Sequence, residues 1–411
     1  MNKMMARKTA VRATVKVMMA GSLMVGFGIA SAQAASLGEA ITSGKAGLDL
    51  RYRYERVEQD SQSRNANAST LRTRLNYATG IFEGFGAFIE FDDVSVVGSE
   101  RYNNATRLPD AKTQYPVVAD PEGTEVNQIF LSYAGLPDSL LKLGRQRIIY
   151  DNARFIGNVG WRQNEQTYDA FSVVNSAFAD TQLSYAYIDK VKRIFGEDSP
   201  VGEFEMKSHL LNLGYSGLNA GKLSVYGYFL EFVDAPAASN RTLGARFAGG
   251  YPLGSDSRLL YTLEYAKQDD YKSGASSIDA DYYLLELGVE ANGITGRIGH
   301  EVLGVNGSAF STPLATGHAF NGWADVFLAT PPDGLRDSYL KLSGTLAGTG
   351  LAAAYHDFAA DRGNDDYGTE INLQAARSIG KVNLLAKYAR YSADDFATDT
   401  SKIWLMAQVS F

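Results

Sequence analysis

Apolar and polar residues alternate along most of the chain with a period of two. In residues 48–55, LDLRYRYE, Leu48, Leu50, Tyr52 and Tyr54 share one side, and Asp49, Arg51, Arg53 and Glu55 share the other. Residues 70–77, TLRTRLNY, repeat this, with Leu71, Thr73, Leu75 and Tyr77 opposed to Arg72, Arg74 and Asn76. Residues 85–92 set Phe85, Ala87, Ile89 and Phe91 against Gly86, Phe88, Glu90 and Asp92. Successive side chains of a strand point to opposite faces, so each segment predicts a strand with one greasy and one charged face.

The same pattern predicts strands near 125–134, 140–149, 167–175, 181–189, 204–215, 222–233, 241–249, 257–268, 280–291, 294–303, 337–347, 350–359, 367–377, 381–391 and 402–411, about 18 in all. The connections sort by length. Short ones include 82–84, 135–139, 177–180, 216–221, 292–293, 347–349 and 378–381; Asn292-Gly293 suits a two-residue hairpin turn. Long ones are 98–124, 150–166, 190–203, 269–279, 304–336 and 392–401. Short turns alternating with long loops are the layout of a transmembrane β-barrel with periplasmic turns and external loops. Residues 403–411, IWLMAQVSF, carry Ile403, Leu405, Ala407, Val409 and Phe411 on one face. In a soluble protein such an apolar edge invites aggregation, and pairing it with the first strand removes the edge. The expected fold is therefore an all-β transmembrane antiparallel barrel in the outer membrane.

The N-terminus changes the domain picture. Lys3, Arg7, Lys8, Arg12 and Lys16 precede an apolar stretch from Val17 to Ala30 and then Ala32-Gln33-Ala34. This order predicts a cleaved secretory signal over residues 1–34, leaving one barrel domain over 35–411. The apolar stretch falls short of the roughly 20 residues a spanning helix needs. Removing five basic residues leaves 39 − 5 = 34 Lys and Arg against 46 Asp and Glu, a net charge of −12. That balance argues against a nucleic-acid partner. The absence of cysteine argues against a small disulfide-held secreted module, whereas a closed sheet needs no staple.

Several segments resemble the alginate-export family of outer-membrane porins: LKLGRQRI at 141–148, residues 154–173 around RFIGNVGWRQNEQTYDAFSV, residues 312–340 around ATGHAFNGWADVF, and SLGEAITSGKAGLDLRYRYE at the mature start. The resemblance implies an 18-stranded monomeric barrel with loops folded inward and a charged constriction. It implies passage of a polyanionic polysaccharide in the family's named member, while most relatives have no assigned substrate. A terminal aromatic such as Phe411 resembles the signal that outer-membrane barrels present to the barrel assembly machinery.

A channel's chemistry is its lining. Alternation puts Arg51, Arg53, Arg72 and Arg74 on the inner face of neighbouring strands, with Glu90 and Asp92 close by. This is either an anion-attracting strip or a salt-bridge network that stiffens the wall, because adjacent unpaired cations repel. Arg154 and Arg162, on a long loop with Trp161, are candidates for the constriction by analogy with porin loops that fold inward. Arg145 joins the candidates through the resemblance at Gly144-Arg145-Gln146. Its register with Leu141 and Leu143 points it at lipid, so a bulge or a place near the rim is expected.

The four histidines have no metal-ligand spacing, and no GxSxG, GxGxxG or P-loop pattern occurs. His318 reads as a hydrogen-bonded structural residue, and Asp365-Asp366 and Asp394-Asp395 as solvated loop charge. No cofactor, no metal and no catalytic residue is expected. The expected function is a water-filled outer-membrane channel for hydrophilic small solutes or oligosaccharides, anions included, in contact with lipid and lipopolysaccharide. Two alternatives stand beside it: a dedicated exporter of an anionic polysaccharide such as alginate, and a barrel enzyme of lipase or deacylase type. The enzyme would need a Ser–His pair at the lipid-facing rim.

Overall fold

The computed structural model describes residues 33–109 and 111–411. The signal-peptide segment falls almost entirely on residues 1–32 and lies outside the described residues. Eighteen strands follow a short helix, α1 (Leu37–Thr42). They are β1 (Lys45–Gln59), β2 (Ala66–Ala78), β3 (Phe85–Arg101), β4 (Gly123–Tyr133), β5 (Ser139–Gln146), β6 (Thr167–Asn175), β7 (Thr181–Lys192), β8 (Glu203–Leu218) and β9 (Gly221–Leu230). Then come β10 (Asn240–Pro252), β11 (Ser257–Asp270), β12 (Asp279–Ala291), β13 (Ile294–Leu303), β14 (Leu335–Leu346), β15 (Thr349–Ala359), β16 (Asp366–Ile379), β17 (Val382–Ala393) and β18 (Thr400–Ser410).

Each strand pairs antiparallel with its sequence neighbours, and β1 closes on β18 from Asp49↔Ser410 to Gln59↔Thr400. The closure runs to the last residue, where the N–H of Phe411 donates to the Leu48 carbonyl at 2.8 Å. No edge is left, which is what lets so large a sheet exist without aggregating. The two-residue turns Asn292-Gly293 and Ala347-Gly348 have left-handed backbone at both positions, the geometry whose twist matches a hairpin.

The pleat sorts the side chains as the alternation predicts. Leu75, Leu143, Ile298, Leu340 and Leu405 point outward, each half or more exposed. Their alternate neighbours Arg74, Gln146, Glu301, Tyr339 and Trp404 point inward and are buried. A water-soluble protein would have these two sets the other way round; an apolar belt over a polar interior belongs in lipid. Among the described residues no helix is long and apolar enough to cross a membrane.

Two departures from the sequence reading concern the external side. The strands run further outward than the alternation marked, β3 reaching Arg101 where the long connection was expected from residue 98. External connections are also not uniformly long: 60–65, 360–365 and 394–399 are brief beside 102–122, 147–166 and 304–334. Those last three are the ones that turn into the lumen.

Candidate functional site: the lumen and its inward loops

The β5–β6 loop, residues 147–166, cannot stay outside. It carries Phe155, Ile156 and Trp161, which are all buried, and it brings its charged groups in with them. Phe155 packs on Tyr226, Tyr282 and Phe310, and the N–H of Gly157 donates to the Leu314 carbonyl at 2.8 Å. The β13–β14 loop, residues 304–334, thus lies against it. Together with Asp120 of the β3–β4 loop they fill the outward part of the barrel. There the inner face is buried around the whole circumference, from Glu55 through Tyr168, Met206, Asn240, Tyr282 and Asp337 to Lys402. A passage at this level must run between loops and not along the wall.

The inner halves of the strands are different. Asp49, Lys142, Arg246, Glu286, Lys341 and Gln374 face inward and keep part of their surface open. The lumen is therefore a polar vestibule on the side of the short turns, roofed by loops on the side of the long ones.

The predicted arginines do converge. Arg51 and Arg72 are direct cross-strand partners, a juxtaposition of like charges that needs compensation. Arg72 pairs with Asp49, and Arg74 with Asp92 at 2.8 Å and Glu165 at 3.3 Å. Arg53 pairs with Glu55 at 3.2 Å and Asp120 at 3.6 Å, with its guanidinium over the Trp161 ring. Among the described residues Arg51 has no carboxylate within ion-pair distance, and it is held by the Gln163 side chain at 2.9 Å and the carbonyls of Gly160 and Arg162. Of the two readings of this ladder, the geometry matches the wall-stiffening network: all four guanidiniums are buried and occupied.

Glu90 and Asp92 serve the same network. A bulge opposite Glu90 and Phe91 puts Asn127 and Gln128 of β4 on the same inner face, and both donate to Glu90. Arg162 bridges Glu55 and Asp325, each at 2.9 Å, and so ties β1 to both loops. Arg154 belongs to a second cluster on the opposite wall, bound to Glu301 at 2.7 Å and Asn321 at 3.0 Å. Asn321 in turn donates to Asp337, which takes the His356 ring at 2.9 Å.

Arg145 requires a correction. It lies on the outer face near the external end of β5, where its guanidinium clasps Asp169 of β6 with two bonds of 2.8 and 3.2 Å. The strand's period of two carries Leu143 and Arg145 to the same side, so Arg145 is a rim residue and not part of the lining. The lumenal cation of this segment is Arg147, which reaches Glu90 at 2.7 Å and also Glu165. The strand expected over 140–149 put it on the lipid side with Leu143, but β5 ends at Gln146 and the pleat no longer sets its direction.

The loop charges have perturbed protonation. Burial pushes the Glu165 carboxyl up, but Arg147 and Arg74 outweigh it and hold the group far below the usual carboxylate range. Asp325 is likewise raised by burial and lowered more by Lys402, His318 and Arg162. The His318 imidazole is pushed well below its ordinary value by burial and by the neighbouring Lys387 ammonium. Glu165, Asp120, Asp325, Lys387 and Lys402 were not among the candidates from sequence. They lie on loops or distant strands, and only closure of the barrel makes them neighbours.

Residues 44–188, β1 through most of β7, match the family model described as alginate export; the match takes in the resembling segments 141–148 and 154–173, while 312–340 lies outside it. No curated protein matches the chain. Among solved structures, the chain is similar to OccK9 (OpdG) of Pseudomonas aeruginosa, with 14% identity, 90% of this chain and 99% of that chain covered, and a TM-score of 0.71. It is similar to OpdK of the same organism, solved with vanillate, at 14% identity, coverage of 90% and 99%, and a TM-score of 0.70. It is also similar to OccAB2 of Acinetobacter baumannii, at 16% identity, coverage of 91% and 100%, and a TM-score of 0.69. These likenesses establish the closed 18-stranded outer-membrane barrel fold.

Proposed function

We propose that the chain is an outer-membrane channel through which small hydrophilic solutes diffuse, with anions favoured over cations. One observation supports this above all: an open polar vestibule meets a roof of loops cross-tied by ion pairs, so the barrel has a wide part and a narrow part. About 18 strands enclose more space than wall side chains can fill, and here the loops take up the surplus.

In this reading the anion preference rests on three lysines and not on the predicted arginines. Arg51, Arg53, Arg72, Arg74, Arg154 and Arg162 are engaged, and so are Arg246 with Glu264 and Arg297 with Glu286. Lys142 and Lys341 have no carboxylate partner among the described residues; they lie over Phe130 at 4.6 Å and Tyr339 at 3.9 Å. Lys222 stands at 3.7 Å from Asp151 and is about half exposed. Such cations can replace part of an anion's hydration and release it again. Glu90, Asp92 and the arginines act one step back, holding the loops that set the narrow part.

Export of an anionic polysaccharide draws support from the family match, but a polyanion needs a continuous basic path. Here nearly every lumenal arginine is neutralised by an acid. The enzyme reading draws on a single pair: His300 and Ser338 face lipid on β13 and β14, with Nδ1 and Oγ 2.9 Å apart. No acid bonds the other ring nitrogen, and the surrounding N–H groups belong to the strand ladder, so an oxyanion would have no donors. The pair fits a polar girdle at the headgroup level. In this reading Phe411 on the closing strand is the contact for the assembly machinery, and the outer belt meets lipid and lipopolysaccharide.

The test is planar-bilayer recording of purified protein under a salt gradient. Steady conductance with a reversal potential on the anion side supports the proposal. A folded protein without conductance, or one whose ester hydrolysis is abolished by His300→Ala, would replace it.

A further inference from the structure

The chain has three tryptophans, on three separate elements: Trp161 on the β5–β6 loop, Trp323 on the β13–β14 loop and Trp404 on β18. All three surround one side chain. The Lys387 ammonium, on the inner face of β17, lies 4.2 Å from the Trp161 ring, 3.7 Å from Trp323 and 5.6 Å from Trp404. His318 stacks on Trp161 at 4.2 Å and meets Trp404 edge-on at 5.6 Å.

The hydrogen bonds fix the protonation of His318. The Asp325 carboxylate can only accept, so the ring nitrogen facing it carries the proton and Nε2 of the neutral ring accepts from Lys387 Nζ at 2.8 Å. The proton is then on Nδ1, which donates to Asp325 at 2.7 Å. A second proton on His318 would set N–H against N–H at the Lys387 contact and add a cation beside a buried cation. The contact as built tolerates only neutral imidazole.

We propose that Lys387, His318 and the three tryptophans form an acid-released latch that holds the two inward loops in the lumen and so sets the width of the passage. Lys387 is a positioning residue in this arrangement; it acts through the loops and touches no solute. The latch rests on the channel reading only for its consequence, the change in conductance.

The latch is a poised one. Among the described residues no carboxylate lies within ion-pair distance of Lys387, so its burial is offset by ring faces and one imidazole nitrogen. All of those but Trp404 leave with the loops, and water would take their place. The loops have other ties: Asp325 to Arg162 and Lys402, and the backbone N–H groups of Trp323 and Ala324 to Glu370 of β16.

The charged groups facing His318 are Asp325 on its own loop, Lys387 on β17 and Arg162 on the β5–β6 loop, with Lys402 of β18 behind Asp325; Lys387 in turn faces Arg53 and Glu55 of β1 and Glu370 of β16. Two of those facing His318 are cations at close range, and the one acid there is already shared with Arg162 and Lys402. The seated imidazole is held neutral while a released one is free to protonate. Seating is therefore fully favoured above the ordinary histidine range and is lost as pH falls through it. Each pH unit below that range shifts the loop equilibrium toward release by up to about tenfold.

Because every tryptophan is in the latch, intrinsic fluorescence reports its state without any label. The experiment follows iodide quenching in detergent micelles and single-channel conductance in bilayers, both from about pH 8 to about pH 5. The latch predicts that quenching and conductance rise together as pH falls. Lys387→Met keeps the apolar packing and removes the cation, and it is expected to flatten both curves; Lys387→Arg is expected to keep them. His318→Gln, neutral at every pH, is the second variant and is also expected to flatten them. Wild-type quenching that does not change with pH overturns the latch, even if the channel conducts. Quenching that follows pH without any conductance keeps the latch and overturns the channel reading instead.

Discussion

Glu165→Gln is the most direct probe of how the ion-pair network sets selectivity. Glu165 is fully buried and accepts from Asn127 and Asn158, each at 2.6 Å, and it is shared by Arg147 and by Arg74 at 3.3 Å. The local count is two arginines against Glu90, Asp92 and Glu165, a formal −1 that the substitution brings to zero. Glutamine keeps the shape, and each arginine keeps one acid, Arg74 with Asp92 and Arg147 with Glu90. The stability loss should therefore stay near 1–3 kcal/mol, the range for a weakened buried polar contact. About a quarter of the Arg147 side chain is open, so the change is felt in the lumen. A unit charge acting on an anion at roughly 8 Å is worth about 0.5 kcal/mol in bulk water and about 2 kcal/mol at an effective dielectric of 20. That converts to a rise in anion permeability of about 2-fold to 30-fold and a fall in cation permeability by the same factor, both smaller at high salt. The assay is the reversal potential under a salt gradient, with heat-modified gel mobility to show that the barrel is folded. An unchanged ratio in folded protein, or a shift toward cations, would refute the assignment of this cluster to the passage.

Arg145→Met and Arg147→Met, two residues apart, should separate rim from lumen: conductance and selectivity stay put in the first and shift toward cations in the second. Replacing Lys222 and Lys341 together by glutamine should lower anion preference more than Arg51→Gln does, read by the same reversal potential. Gly144 has φ of +124°, and an added Cβ would come within 2.4 Å of the Ile129 carbonyl. Gly144→Ala should therefore destabilise the folded barrel by about 1–3 kcal/mol, seen as a lower temperature of the gel-mobility transition.

How much was legible can be judged residue by residue. The inner-face placement of Arg51, Arg72, Glu90 and Asp92 followed from a period of two, a local property that a strand cannot escape without a bulge. The outer face of Arg145 follows from the same period, and only the resemblance had set it among the lining. The fate of those arginines did not follow. Whether Arg51 meets water or the carbonyl of Gly160 depends on a loop more than a hundred residues away. Arg147 was missed for the converse reason: the expected strand ran to residue 149 and put it on the lipid side, whereas β5 ends at Gln146 and no pleat governs it beyond.

Sequence by itself determined the strands, their faces, the alternation of turns and loops, and hence a closed barrel with grease outside and charge within. These rest on short-range periodicity and on the rule that no backbone edge can be left bare in lipid. Tertiary structure alone decided which charges are spent and which remain. It gathered Arg53, Glu55, Asp120, Arg162, Asp325 and Lys402 into one knot and put all three tryptophans around Lys387. The reason is physical: ion pairing and burial depend on distance in space, and closure of the sheet brings β1, β17 and β18 together with loops that sequence separation keeps far apart.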